Sequence, residues 1–132
     1  MDTYVRFEAP YHCESTFQPL GIFQVVAVVE ERASLSDLSR LLLEHHNSWF
    51  NTNLPVPRAD DIDERAIFWF HCRAKIVRDA WRLVGVLRNE GVPIHLRRTR
   101  TPGRIVYRDA MQIAAVPYGH GLSRKRRLPV LV

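Results

Sequence analysis

The sequence predicts an α+β fold: one compact domain with a mixed β-sheet of about five strands and about three helices packed mainly on one face. Three observations predict it. Apolar residues alternate with polar ones near the start, recur at helical spacing in the middle, and return to short β-like runs toward the end. The 132 residues suit a single domain with a sizeable core. With 46% apolar and 25% charged residues, the balance is globular rather than disordered.

The elements follow in the order β-α-α-β-α-β-β-β. In residues 3–9, Val5, Phe7 and Ala9 alternate with Tyr4, Arg6 and Glu8, the pattern of a half-buried strand. In residues 21–32, Ile22, Val25, Val26 and Val29 stand at i, i+3, i+4 and i+7, which predicts a helix despite the β-branched content. Ser34, with Asp37 three residues on, offers an N-cap for a second helix over about 35–50. Its expected apolar stripe is Leu35, Leu38, Leu42, His45 and Trp49. The two prolines of residues 51–57 end it.

Residues 66–72 (AIFWFHC) form an apolar run, as in a strand buried on both faces. Residues 73–90 carry a helical stripe of Ile76, Ala80, Leu83, Val84 and Leu87, with Gly91 as the natural C-cap. Residues 92–99, 104–109 and 112–117 read as strands. Thr101-Pro102-Gly103 is expected to join the first two as a hairpin through a type II turn. The helix before them is expected to be a right-handed crossover between parallel strands. The domain then spans residues 1–117, with 118–132 as a basic extended tail.

Charge is divided along the chain. Residues 1–66 hold 5 basic and 11 acidic side chains, whereas residues 67–132 hold 14 basic and 3 acidic. The halves carry balances of −6 and +11, so they either pair in the fold or present two faces of opposite sign. Seventeen of the nineteen cations are arginines, which suit planar contact to phosphate or carboxylate, although a GC-rich genome would also favour Arg over Lys.

The richest cationic stretch is residues 95–110. As a hairpin it would present Arg97, Arg104 and Arg108 outward with His95 nearby, while Arg98 and Arg100 add to the same region. Lys75, Arg78 and Arg82 share the polar face of the helix over 73–90. Arg124, Lys125, Arg126 and Arg127 extend the set into the tail. Several cations acting together are what a phosphate backbone requires. Few aromatics lie outside the expected core to stack a base, chiefly Tyr107 and Tyr118. The function expected from the sequence is therefore that of a small non-enzymatic binding protein engaging an anionic partner, either nucleic acid or an acidic protein surface.

Two other functions compete. Trp49 and Phe50, ahead of a Pro-rich loop, could anchor a protein partner in a regulator or inhibitor, or they could cap the core. Cys13, with His12 or His45 as base, would be the nucleophile of a small enzyme. The His12-Cys13 and His71-Cys72 pairs supply zinc-type ligands, yet neighbours on a strand point to opposite faces and no Cys-x-x-Cys is present. Residues 60–64 (DDIDE) could hold a hard cation but lack EF-hand spacing, and a solvated linker is the simpler reading. His45 and His46 read as structural. No metal and no cofactor is expected. The longest apolar run is too short to span a membrane and no secretory signal is visible, so a cytoplasmic protein, with a homodimer open to it, is expected.

Overall fold

The computed structural model describes residues 2–119 and 128–132. The chain forms β1 (Tyr4–His12), β2 (Pro19–Gly21), α1 (Ile22–Glu30) and α2 (Asp37–Asn53), then a 3₁₀ turn at Ala59–Asp61. It continues as β3 (Ile67–His71), α3 (Ile76–Asn89), β4 (His95–Thr99), β5 (Arg104–Arg108) and β6 (Gln112–Val116). The α+β class and the element order agree with the sequence, and β2 is the strand added.

The six strands make one sheet, and every pairing is antiparallel. β5 pairs β6, β6 pairs β3, and β3 pairs β1 through Tyr4↔His71 and Val5↔Phe70. β4 lies along the opposite edge of β1, from Tyr4↔Thr99 to Glu8↔His95. β2 shares the β3 side of β1 and pairs farther along, at Glu8↔Gly21. β3 and β4 do run in the same direction, as a crossover requires, but β1 is inserted between them. The expected mixed sheet therefore becomes a split β-α-β unit in an antiparallel sheet.

The expected 92–99/104–109 hairpin does not form. β4 pairs β1 and β5 pairs β6, so the two arginine-rich strands sit at opposite edges of the sheet. Residues 100–103 must carry the chain from the Thr99 end of one edge to the Arg104 end of the other. Laid flat, four interstrand steps and the offset along the strands would separate those points by about 23 Å. Five residue steps reach only about 18 Å. The sheet must therefore curl, with the connection crossing its helix-free face. Pro102 is buried there, and a Cβ on Gly103 (φ 122°) would fall on the Val116 carbonyl, so the tight approach needs glycine.

The curled sheet buries both faces. Val5, Phe7, Ala9 and Phe70 face the helices and meet Ile22, Val25, Val26 and Val29 of α1 and Ala80, Leu83, Val84 and Leu87 of α3. Tyr4, Ile67, Trp69, Ile113 and Ala115, with Ile105 against them, fill the concave side. β3 thus contributes to both cores, as its continuous apolar run implies, with Phe68 the partly exposed exception.

α2 differs from expectation in phase. Its N-cap is Ser36, whose Oγ accepts from the Ser39 N–H at 3.1 Å, and its buried residues are Ser39, Leu43 and Phe50. Leu38 is 66% exposed and Leu41 also faces out. Leu35, Leu38, Leu41, Leu42 and Leu43 surround the helix start so evenly that spacing alone leaves the buried face ambiguous. The helix runs to Asn53, where Pro55 prevents its continuation.

Pairing of β1 with β3 stops at Val5, and pairing with β2 begins only at Glu8. Arg6 fills the slot between. Its Nη1 donates to Phe68 O (3.1 Å), its Nη2 to Pro19 O (3.0 Å) and its Nε to Glu8 Oε2 (2.8 Å). A side chain thus replaces the missing ladder bonds. Farther along, Leu131 is buried in the helix-side core, Pro129 O accepts from the His12 N–H at 2.8 Å, and Arg32 donates to Val132 O.

Candidate functional site

β3, β4 and β5 run in the same direction, so their C-terminal ends gather at one rim of the sheet. Arg73 follows β3, Arg98 and Arg100 stand at the end of β4, and Arg108 closes β5. Lys75 is the N-cap residue of α3 and Arg78 lies in its first turn. All six are exposed, and none is in an ion pair among the described residues. The N-terminal end of the α3 dipole adds partial positive charge to this rim.

Two carboxylates near it are engaged, whereas Asp2, just ahead of Tyr4, is exposed at the same end of the sheet. Asp79 lies 3.7 Å from Arg82. Asp109 accepts from the Tyr107 hydroxyl at 2.6 Å and from the Met111 and Gln112 N–H groups. Burial opposes its ionisation, yet these hydrogen bonds hold its carboxyl below the usual carboxylate value. His71 packs on Tyr4 at 5.3 Å, with its Nε2 3.1 Å from Asp109 O, which ties the end of β3 to β1 and to the turn after β5.

The structure separates the sequence-predicted cations. Arg98, Arg100, Arg108, Lys75 and Arg78 come together. Arg104 is at the opposite end, among the charges acting on Asp63, whose carboxyl is held at about 2 mainly by hydrogen bonds from Arg65. Arg97 faces the concave side, 3.4 Å from Glu8 Oε2. Arg82 is paired with Asp79. Arg124, Lys125, Arg126 and Arg127 lie outside the described residues. Arg73 escaped the sequence reading, although its position between an apolar strand and a helix start was the available signal. Trp81, 41% exposed and one turn beyond Arg78, packs edge-on to Phe7 at 4.9 Å and carries Arg88 over its ring.

Trp49 and Phe50 lie in α2 rather than in a loop. Phe50 is 3% exposed and packs against Phe23 (5.0 Å) and Trp49 (5.1 Å), while Trp49 is half-buried against the same core. The pair caps the core, because the rotated face of α2 turns Phe50 inward.

Cys13 is buried, with Gln24 Nε2 donating to its Sγ at 3.2 Å and Ser15 Oγ at 3.5 Å. Burial alone would raise its pKa. Hydrogen bonds from Ser15, Thr16 and Gln24 outweigh that and bring it down to about 7. His12 stacks edge-on to Phe17, and Cys72 is half-buried beside Thr3. Among the described residues no group of three His, Cys, Asp or Glu side chains could hold a metal ion. No described helix is long and apolar enough to cross a membrane.

The chain matches no protein-family model, no curated protein and no solved structure. Its chemistry must therefore be read from its own geometry. Besides the rim, two cavities of the described surface are of a size to hold a ligand. One, of about 370 Å³, is an apolar pocket beside the 54–57 loop. The other, of about 530 Å³, opens on the concave face and is lined by Glu8, Gln18, Trp69, Arg97, Pro102 and Tyr118, among others.

Proposed function

We propose that this protein binds a polyanion, nucleic acid in particular, at the rim formed by the ends of β3, β4 and β5, acting as a non-enzymatic binding protein in the cytoplasm. The observation that carries the reading is the convergence of Arg73, Lys75, Arg78, Arg98, Arg100 and Arg108 on one end of the sheet without ion-pair partners among the described residues. Such a set acts through summed counterion release, each phosphate contact contributing about −0.9 to the slope of log K against log salt. Trp81, partly exposed one turn beyond Arg78, supplies an aromatic surface that a purely cationic rim lacks, which favours nucleic acid over an acidic protein.

The test is fluorescence anisotropy of a labelled oligonucleotide, single-stranded and duplex, across a salt series. Binding is expected to weaken steeply with salt. Arg100→Glu and Arg108→Glu should each flatten the slope by about one phosphate or more, whereas Arg104→Glu at the other end should change it little. Salt-independent binding, or equal damage from Arg104→Glu, overturns the assignment. Preference for polyglutamate over oligonucleotide assigns the rim to an acidic protein instead.

A further inference from the structure

We propose that the concave cavity is a second site, independent of the rim, for a small oxyanion (a carboxylate or phosphate monoester) carried on an apolar or aromatic body. The helix-free face carries buried charges beside this cavity. Glu8 is 1% exposed and its carboxylate takes the short, 2.8 Å hydrogen bond from Arg6, which is also buried. That pair is internally compensated, as a buried charge must be. Arg97 approaches the same carboxylate only at 3.4 Å, and its side chain is 44% exposed. Among the described residues Arg97 has no other carboxylate within ion-pairing distance, so two guanidinium groups converge on one acid. The surplus is one positive charge at the cavity wall.

The geometry of Arg97 suits an anion. Only Nη1 is engaged, by Glu8 and by Gln18 Oε1 at 3.2 Å. Its Nε and Nη2 make no hydrogen bond among the described residues, which leaves one edge of the planar fork for a bidentate oxyanion. Stacking over the Trp69 ring, 5.2 Å from its centroid, holds the plane of the fork. Trp69 also lines the cavity, and its buried Nε1–H has no partner among the described residues. An unpartnered buried donor of this kind costs stability and calls for an explanation.

The remaining lining sets the ligand body. Pro19, Ile67, Pro102, Pro117 and Tyr118 offer apolar and aromatic surface around the charged wall. About 530 Å³ falls within the roughly 300–1,000 Å³ of small-molecule sites. A bare phosphate leaves that lining empty, and an uncharged ring leaves Arg97 unanswered.

The experiment titrates phenyl phosphate and benzoate, with inorganic phosphate and benzyl alcohol beside them, into the ¹⁵N-labelled full chain. The readout is the Trp69 indole N–H resonance, assigned with Trp69→Phe. Saturable shifts are expected from one or both aryl anions, with Kd on the order of 1 mM or tighter, and the order of their affinities names the oxyanion. Arg97→Gln should weaken binding about tenfold or more. Thr101→Phe, which fills the cavity and leaves every charge in place, should abolish it, and Arg58→Gln on the outer surface should leave it unchanged. If Arg97→Gln fails to fold, Thr101→Phe decides. An equal response to benzyl alcohol, no saturation by either aryl anion, or undiminished binding in a folded Arg97→Gln or Thr101→Phe variant overturns the site. Oligonucleotide binding without aryl-anion binding removes this inference and spares the rim; the reverse removes the rim alone.

Discussion

Arg6 and Glu8, two residues apart on one strand, form a 2.8 Å ion pair with both side chains buried, on a face of the sheet that carries no helix. Burial pulls the Arg6 pKa below its ordinary value against the opposing pull of Glu8, which states in electrostatic terms how strongly each depends on the other. Arg6 also ties Phe68 O and Pro19 O across the slot between β3 and β2. Glu8→Gln leaves that guanidinium buried without a counter-charge. Stability should fall by about 3–5 kcal/mol in chemical denaturation, and an Arg6→Met/Glu8→Met double variant should recover part of the loss. A Glu8→Gln chain as stable as the parent would show that the pair is dispensable.

The phase of α2 can be checked with two truncations. Phe50, held between Phe23 and Trp49, should cost about 3–5 kcal/mol on replacement by Ala. Leu38→Ala, at a position 66% exposed, should lie within about 0.5 kcal/mol of the parent. The reverse order of effects would restore the stripe that spacing alone suggests.

Cys13 provides the pH dependence. Its thiol titrates at about 7 in the folded chain against an ordinary 9.0. The fold therefore binds the thiolate more favourably than the unfolded chain does. This contribution is complete above the ordinary value, grows as pH rises from about 7 to 9, and is lost as pH falls through about 7. In a Cys72→Ala background, the thiolate absorbance should rise near pH 7. The stability difference from Cys13→Ala should widen over the same interval. A thiol that titrates near 9 would show that the Gln24 and Ser15 hydrogen bonds do not favour the anion.

How much was legible in the sequence depended on whether the signal was local. The i, i+3, i+4, i+7 set of α1 is the set of residues it buries, because Gln24 and Glu30 interrupt the rest of that largely apolar helix and leave this stripe unbroken. Leu35 and the four leucines at the start of α2 admit several faces, and the packing of Phe50 against Phe23 decides among them. Pro102-Gly103 is a good turn signal between two β-like runs, yet β4 pairs with β1, some ninety residues away, and nothing local announces that. The error propagated to the site: an alternating pattern says which arginines share a face of a strand, but the strand's neighbours decide which arginines share a place. Arg97 and Arg104 fell away from the set for that reason, and Arg73 joined it.

The connection Arg100–Gly103 has a consequence for the sheet as a mechanical object. It is shorter than the flat distance between the edges it joins, so it acts as a bowstring, and the curvature of the sheet is held by chain length as well as by side-chain packing. The concave face then owes its hollow to a covalent tether. Lengthening that string by a few flexible residues, with every core contact left in place, would let the bow relax and move Thr101 and Pro102 away from Trp69. In this molecule the depth of a cavity is written in the number of residues between two strands that never touch.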